Sequence, residues 1–480
     1  MCDCCEPSNV SRRAFLQVSA VAAGGISLAA SRGVRSAKPI ATPVRTKKVR
    51  VLAAFVYPPT QTLKEAGYYS WPGSGFGAEE RHKEYAALID RMGADLGIQV
   101  DIEPVAIDTE EDASRFVQKA QSTQSDGILL VLFKKGHWNR ITQIVEAAKL
   151  PVVAYAPLGV LLVDHIRPAR EKQNLLLVNS EKFDAVSEGL RIIRAGAWMK
   201  QCRIMNIDGQ EEKSVRVPLL GTEIHTVTHQ RFYDTYRDTA DTDEVLKLAR
   251  AYRAGAREIL EPNNEDILEA ARAYVALKTL LTADGADALM MNCLPGLQHP
   301  HKHVPPCMAF MTLRDEGIPA GCQSDLNATL SLVLGQYLFN RPGFQQNASM
   351  DTVQNLYFGA HCTCPSRMNG PGTRPEPYVL RSHAEAGWGC VPRVLLTKGQ
   401  DVTLAYYMSS DAPELAVYTG TIVSCPEIPP TGGCRTNIQM TINEVQDVRD
   451  VKGMHQAIFY GNHSRDLHAF GQLYGVKVLT

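Results

Sequence analysis

At 480 residues, 45% of them hydrophobic and 21% charged, the chain is long enough for two or three globular domains with real cores. Its 50 Lys and Arg against 51 Asp and Glu leave a formal charge of −1, which excludes the basic excess of a general nucleic-acid surface. No apolar run in the body of the protein reaches the length of a membrane span.

In chain order, the first feature is Ser11-Arg12-Arg13-Ala14-Phe15-Leu16, followed by a mildly apolar stretch at 18–30 rich in Ala and Gly. Paired arginines before a weakly hydrophobic centre and small residues form a twin-arginine export pattern, which places the mature protein in the periplasm or another extracytoplasmic space. Cleavage is expected near Ala29 or Ala30, and residues 1–40 read as signal and linker. Of the 12 cysteines, Cys2, Cys4 and Cys5 would leave with the signal. An odd number then remains, which argues against a full disulfide framework. Cys425 and Cys434 flank a Pro/Gly-rich turn and either pair after export or stay free.

Residues 47–165 alternate strand and helix. Strands are expected at 49–56, 100–105, 128–133 and 152–155, and helices at 79–92, 110–120 and 139–148. The second helix opens at Asp108-Thr109, with Glu111 as cap support. Such alternation implies a parallel, doubly wound sheet. A second αβ run covers 166–345, with helices at 181–199, 243–260, 266–281 and 326–339 and strands at 202–207 and 288–293. From 346 to 480 the texture turns β-rich, as in a small antiparallel barrel or sandwich, and the chain ends on strand, Gly-Asn-His turn, helix and strand. The fold class is therefore α/β: two Rossmann-like αβα domains plus a β-rich, barrel-like C-terminal domain.

Ligands in open α/β sheets bind beyond the carboxyl ends of strands. Asn292, Cys293, His299, His301, His303, Cys322, Gln323 and Asp325 cluster at such ends. The run Asp315-Glu316-Gly317-Ile318-Pro319-Ala320-Gly321-Cys322-Gln323-Ser324-Asp325 resembles the D-E-G-I-P-A-A-C-E-x-D segment of the L-fucose isomerase family, within the fucose/arabinose isomerase superfamily. Asn292-Cys293-Leu294-Pro295 resembles its C-W-P turn, His361-Cys362 its H-C-G segment, and Met454-His455-Gln456-Ala457-Ile458-Phe459-Tyr460-Gly461 its H-H-x-A-L-x-Y-G ending.

The resemblance implies a metal-dependent aldose–ketose isomerase, moving a proton through an ene-diol on an open-chain sugar. It also implies a divalent metal, usually manganese, with zinc, cobalt or no metal as alternatives, and a homo-oligomer. Asp325 matches the metal-binding, acid/base Asp, and its structural alternative is a helix N-cap. His455 matches the metal His, and its alternative is a hydrogen-bonded strand histidine. His361, Gln323, Asn292 and Trp71 are candidate substrate contacts, with Tyr68, Tyr69 and Trp388 as further stacking residues. Gly296 stands where the family has its metal-binding Glu, and Gln323 replaces another Glu; neither residue can act as a base.

His299, His301 and His303 are then either a polar surface loop or a substitute ligand set suited to softer metals. Cys362-Thr363-Cys364 is a weak soft-metal signal. The alternatives to an isomerase are a non-catalytic sugar- or metal-binding protein and an epimerase or lyase acting on a keto-sugar.

Overall fold

The computed structural model describes residues 48–65, 75–427 and 433–480, all within the unit Ile40–Thr480. The N-terminal segment read as an export signal, and Trp71, Tyr68 and Tyr69, lie outside the described residues. Chain order begins with β1 (Val49–Val56), α1 (Thr60–Glu65), α2 (Ala78–Leu96), β2 (Ile98–Ile102), α3 (Glu110–Ser122), β3 (Gly127–Leu132), α4 (Trp138–Ala148), β4 (Val152–Pro157), α5 (Val163–Glu171) and β5 (Leu175–Ser180). The strands form one parallel five-stranded sheet in the order β2-β1-β3-β4-β5.

β1 is apolar on both faces because both are covered. Val51, Ala53 and Phe55 pack with Tyr85 and Ile89 of α2, while Leu52, Ala54 and Val56 pack with Phe116 of α3 and Ile141 of α4. α3 starts at a Thr109 cap as expected. Its reciprocal partner, however, is Asp112 rather than Glu111, since only the third helical position reaches back to the cap amide.

Next come α6 (Val186–Gln201), β6 (Arg203–Ile207), β7 (Lys213–Arg216), β8 (Glu223–Val227), α7 (His229–Asp238), α8 (Asp243–Gly255), β9 (Glu258–Ile259), α9 (Asn264–Asp284), β10 (Ala288–Met291), α10 (Leu294–Leu297), α11 (Cys307–Asp315), β11 (Ala320–Cys322) and α12 (Leu326–Phe339). A second sheet runs β11-β10-β6-β8-β7, parallel except for β7. β7 and β8 escape sequence reading because β7 is exposed along its whole length and carries no apolar alternation. The helix expected at 243–260 stops at Gly255. Gly255 lies so close to the Tyr378 hydroxyl that a Cβ would stand 2.5 Å from it, and residues 258–259 turn into a strand.

The rest comprises β12 (Phe344–Asp351), β13 (Leu356–His361), β14 (Tyr378–Arg381), β15 (Val391–Val394), β16 (Asp401–Met408), β17 (Glu414–Ser424), β18 (Thr436–Met440), β19 (His455–Tyr460), α13 (Ser464–Tyr474) and β20 (Lys477–Leu479). Six strands, β16-β19-β12-β13-β18-β17, form an antiparallel barrel that closes through pairing of β16 with β17. α12 joins barrel and second sheet. Its Leu330, Val333 and Leu334 share a core with Met290 of β10 and Ala457 and Phe459 of β19. Gly335 lets the Phe459 ring close in, since a Cβ there would meet it at 2.2 Å. Ser331 Oγ accepts the Tyr407 amide at 2.8 Å. The second turn of α12 is thereby held against the barrel. Among the described residues no helix is long and apolar enough to cross a membrane.

Candidate functional site at the strand ends of the second sheet

Four parallel strands of the second sheet release their chains on one side, where ligands bind in open α/β sheets. Asp208 follows β6, His229 follows β8, Asn292 follows β10, and Gln323 to Asp325 follow β11. From β6 the chain proceeds outward to β8 and later returns to the other side at β10 and β11, so the strand order reverses between β6 and β10. At that reversal Asn292 Nδ2 donates to Asp208 Oδ1 at 3.3 Å, and His229 Nε2 donates to the Asn292 carbonyl at 2.9 Å.

The exit from β11 is strained. Gln323 and Ser324 take successive left-handed conformations, φ +59° and +50°, which non-glycine residues adopt at a cost of order 1 kcal/mol each. Ser324 Oγ is anchored on Asn206 Oδ1 at 2.8 Å. The double turn delivers Asp325 to the N-cap of α12, where Oδ1 accepts the Ala328 amide at 2.8 Å.

The second carboxylate oxygen does something else. Asp325 Oδ2 accepts from His455 Nδ1 at 2.7 Å, across 130 residues of sequence. His455 Nε2 lies 2.5 Å from Asn347 Oδ1, and Asn347 Nδ2 reaches Cys434 Sγ at 3.9 Å. Both ring nitrogens of His455 thus face oxygen atoms of neighbouring side chains. Burial works against ionisation of Asp325, but the His455 bond, the Ala328 amide and the His455 charge outweigh it and hold the carboxyl below its ordinary value. Asp325 is therefore helix cap and ion-pair partner at once. His361 stands edge-on to His455, with ring centroids 6.1 Å apart. Its Nδ1 accepts from the Cys362 amide and the Thr363 hydroxyl, at 3.0 and 3.1 Å, which turns Nε2 toward the Cys322 thiol.

The three loop histidines take separate roles. His303 is buried, and its Nδ1 donates to the Val304 carbonyl at 2.7 Å. Its Nε2 has no partner and fills the space beside Gly296, where a Cβ would stand 2.1 Å from it. Burial pushes the imidazole down to about 4. His301 donates from Nδ1 to the Leu297 carbonyl and lies against Trp388, centroids 4.4 Å apart. His299 precedes the cis peptide to Pro300, its ring 5.6 Å from that of His301. Gln323 is exposed.

Asp325, His455 and His361 are thus brought together, with Asn292 on a neighbouring strand end beside Asp208. The reading of sequence overlooked Asn347, Asp208 and His229. Asn347 sits on β12 directly opposite His455 in register, a pairing no local signal could disclose.

The donor set does not match a hard manganese ion, which prefers several oxygen ligands. Asp325 and His455 satisfy each other, and the neighbouring groups are an amide, an imidazole and thiols. Among the described residues no three His, Cys, Asp or Glu side chains gather to hold a metal. Cys425 and Cys434 do not pair either. Cys425 Sγ donates to the Leu396 carbonyl at 3.3 Å, while Cys434 lies against Cys362, and all nine described cysteines are free.

No protein-family model matches this chain, and no curated protein matches it.

Proposed function

We propose that the protein is an exported carbohydrate-active enzyme of the L-fucose isomerase type, with two Rossmann-like domains and a barrel, moving a proton between adjacent carbons of an open-chain sugar. The Asp325–His455 contact at 2.7 Å supports this reading, since it joins a carboxylate and an imidazole beside the strand ends of the second sheet. In this scheme the Asp325 carboxylate takes the proton from the carbon beside the carbonyl. His455 gives one to the carbonyl oxygen, forming the ene-diol; Asp325 then delivers its proton to the former carbonyl carbon while the neighbouring hydroxyl returns a proton to His455, leaving the new carbonyl. Asn347 and His361 orient the hydroxyls. No step passes through a metal.

The decisive test is conversion of a panel of aldoses by the wild type and by Asp325→Asn, with and without added manganese, cobalt or zinc. Turnover in the wild type that is lost in the variant supports the assignment, and equal rates in both would sink it.

One observation favours a second reading, a sugar-binding protein without catalysis. Both Asp325 oxygens already have partners, and Gly296 supplies no second carboxylate. Calorimetric binding of a sugar with no turnover would select it.

A further inference from the structure

Cys362 follows β13 and Cys434 precedes β18, and these two strands pair with His361 opposite Thr436. The ends of the two strands therefore bring the cysteines together. Cys362 belongs to a buried cluster with Cys307 and Val391, and the partly buried Cys434 packs against it. The Arg435 amide donates to Cys362 Sγ at 3.4 Å. Cys362 is 3% exposed, whereas Cys434 is only partly buried. On its other side the Cys434 sulfur receives the Asn347 amide, whose oxygen faces His455.

We infer that Cys362 and Cys434 form a redox-active dithiol that closes to a disulfide and reports directly to the Asn347–His455–Asp325 chain. A small-molecule disulfide is the oxidant. The more exposed Cys434 attacks as thiolate, the oxidant's S–S bond breaks, and one half leaves as a thiol carrying the Cys434 proton. Cys362 then attacks Cys434 Sγ in the mixed disulfide and loses its proton to the second leaving thiolate. Two cysteine thiols are oxidised by two electrons, and the oxidant is reduced to two thiols.

The geometry divides the roles. An accessible attacking sulfur stands outside, and a buried resolving sulfur stands behind it, its Sγ accepting the Arg435 N–H while contact with Cys434 and burial raise its thiol above the ordinary value. The hydrogen bond from Cys362 holds the Cys434 thiol below its ordinary value, in keeping with attack by Cys434. Closure replaces the sulfur that Asn347 contacts with a disulfide sulfur, and so disturbs the amide that orients His455.

The test is titration of the full mature chain with glutathione disulfide, followed by alkylation, peptide mass mapping and histidine NMR. A Cys362–Cys434 cross-linked peptide is expected, together with a shift of the His455 ring signals reversed by dithiothreitol. Cys434→Ser removes both effects, and Cys425→Ser leaves both intact. Linkage of Cys434 to Cys425 or Cys307 would overturn the inference, as would glutathione retained on Cys434 without resolution. Cys434→Ser is a partly exposed, near-isosteric change, and circular dichroism confirms that it is folded. These readouts do not depend on sugar turnover.

Discussion

Gly296 and His303 share one volume: a Cβ on Gly296 would lie 2.1 Å from His303 Nε2 and 3.1 Å from the Tyr233 ring. The imidazole has taken the space that a side chain at 296 would need. Placing a carboxylate there therefore does not simply restore a missing ligand, because it displaces a buried ring. Gly296→Ala is expected to destabilise the protein by about 1–3 kcal/mol through overpacking. In the His303→Ala background the same change costs much less. Urea denaturation of the two single variants and the double variant measures this coupling, and additive losses would refute the shared volume.

His303 also sets a pH dependence. Its folded-state value of about 4 lies below the ordinary value of 6.5, so between these limits the unfolded chain binds a proton that the folded chain refuses. Stability from this group is present above about 6.5 and is lost as pH falls toward 4. The full loss is about 3 kcal/mol for a fully buried ring, at 1.36 kcal/mol per pH unit. His303→Gln flattens the stability profile in that window, as chemical denaturation at a series of pH values would detect.

Asp325 acts lower on the pH scale. Its carboxyl is held below its ordinary value of 3.8, so its contribution is present above that value and lost as pH falls through the depressed one. Asp325→Asn keeps the N-cap acceptor but removes the charge. A loss of about 1–3 kcal/mol in neutral-pH stability is expected, because Asn keeps the helix cap but leaves the largely buried His455 without its carboxylate partner. Turnover on an aldose falls by about 10²–10⁴-fold, the usual worth of a general acid–base group. Asp325→Ser, another good cap, gives the same loss of rate. Restored rates in either variant would assign Asp325 to the helix alone.

Strain at the exit of β11 is testable without a substrate. Gln323 is exposed and left-handed, so glycine fits its backbone better. Gln323→Gly is expected to raise stability by about 1 kcal/mol. Gln323→Val lowers it, since a β-branched residue tolerates positive φ least. Thermal melts of the two variants decide this, and a destabilised glycine variant would show that the turn stores no strain.

Much of the fold is legible in local pattern. The continuous apolar strands of the first sheet, the Thr109 and Asp325 caps and the left-handed Asn340 that ends α12 follow from short-range preferences written in neighbouring residues. The strand–helix alternation and the β-rich final third follow likewise, and the final third closes into a barrel. β7 and β8 were hidden because an exposed strand of four residues and a short edge-side partner carry no periodicity.

The site divides along the same line. Sequence alone determined that Asp325 would stand at a strand–helix junction, that position 296 would carry no acid or base, and that His455 would begin a strand. Only the tertiary structure decided what those residues do. Antiparallel pairing of β12 with β19 puts His455 opposite Asn347, and packing of α12 on β19 then carries Asp325 to His455. His303 enters the space at Gly296, and Cys434 meets Cys362 rather than its nearer neighbour Cys425. Each of these is a contact between segments far apart along the chain. Such contacts depend on how sheets and helices pack, which local propensity does not record.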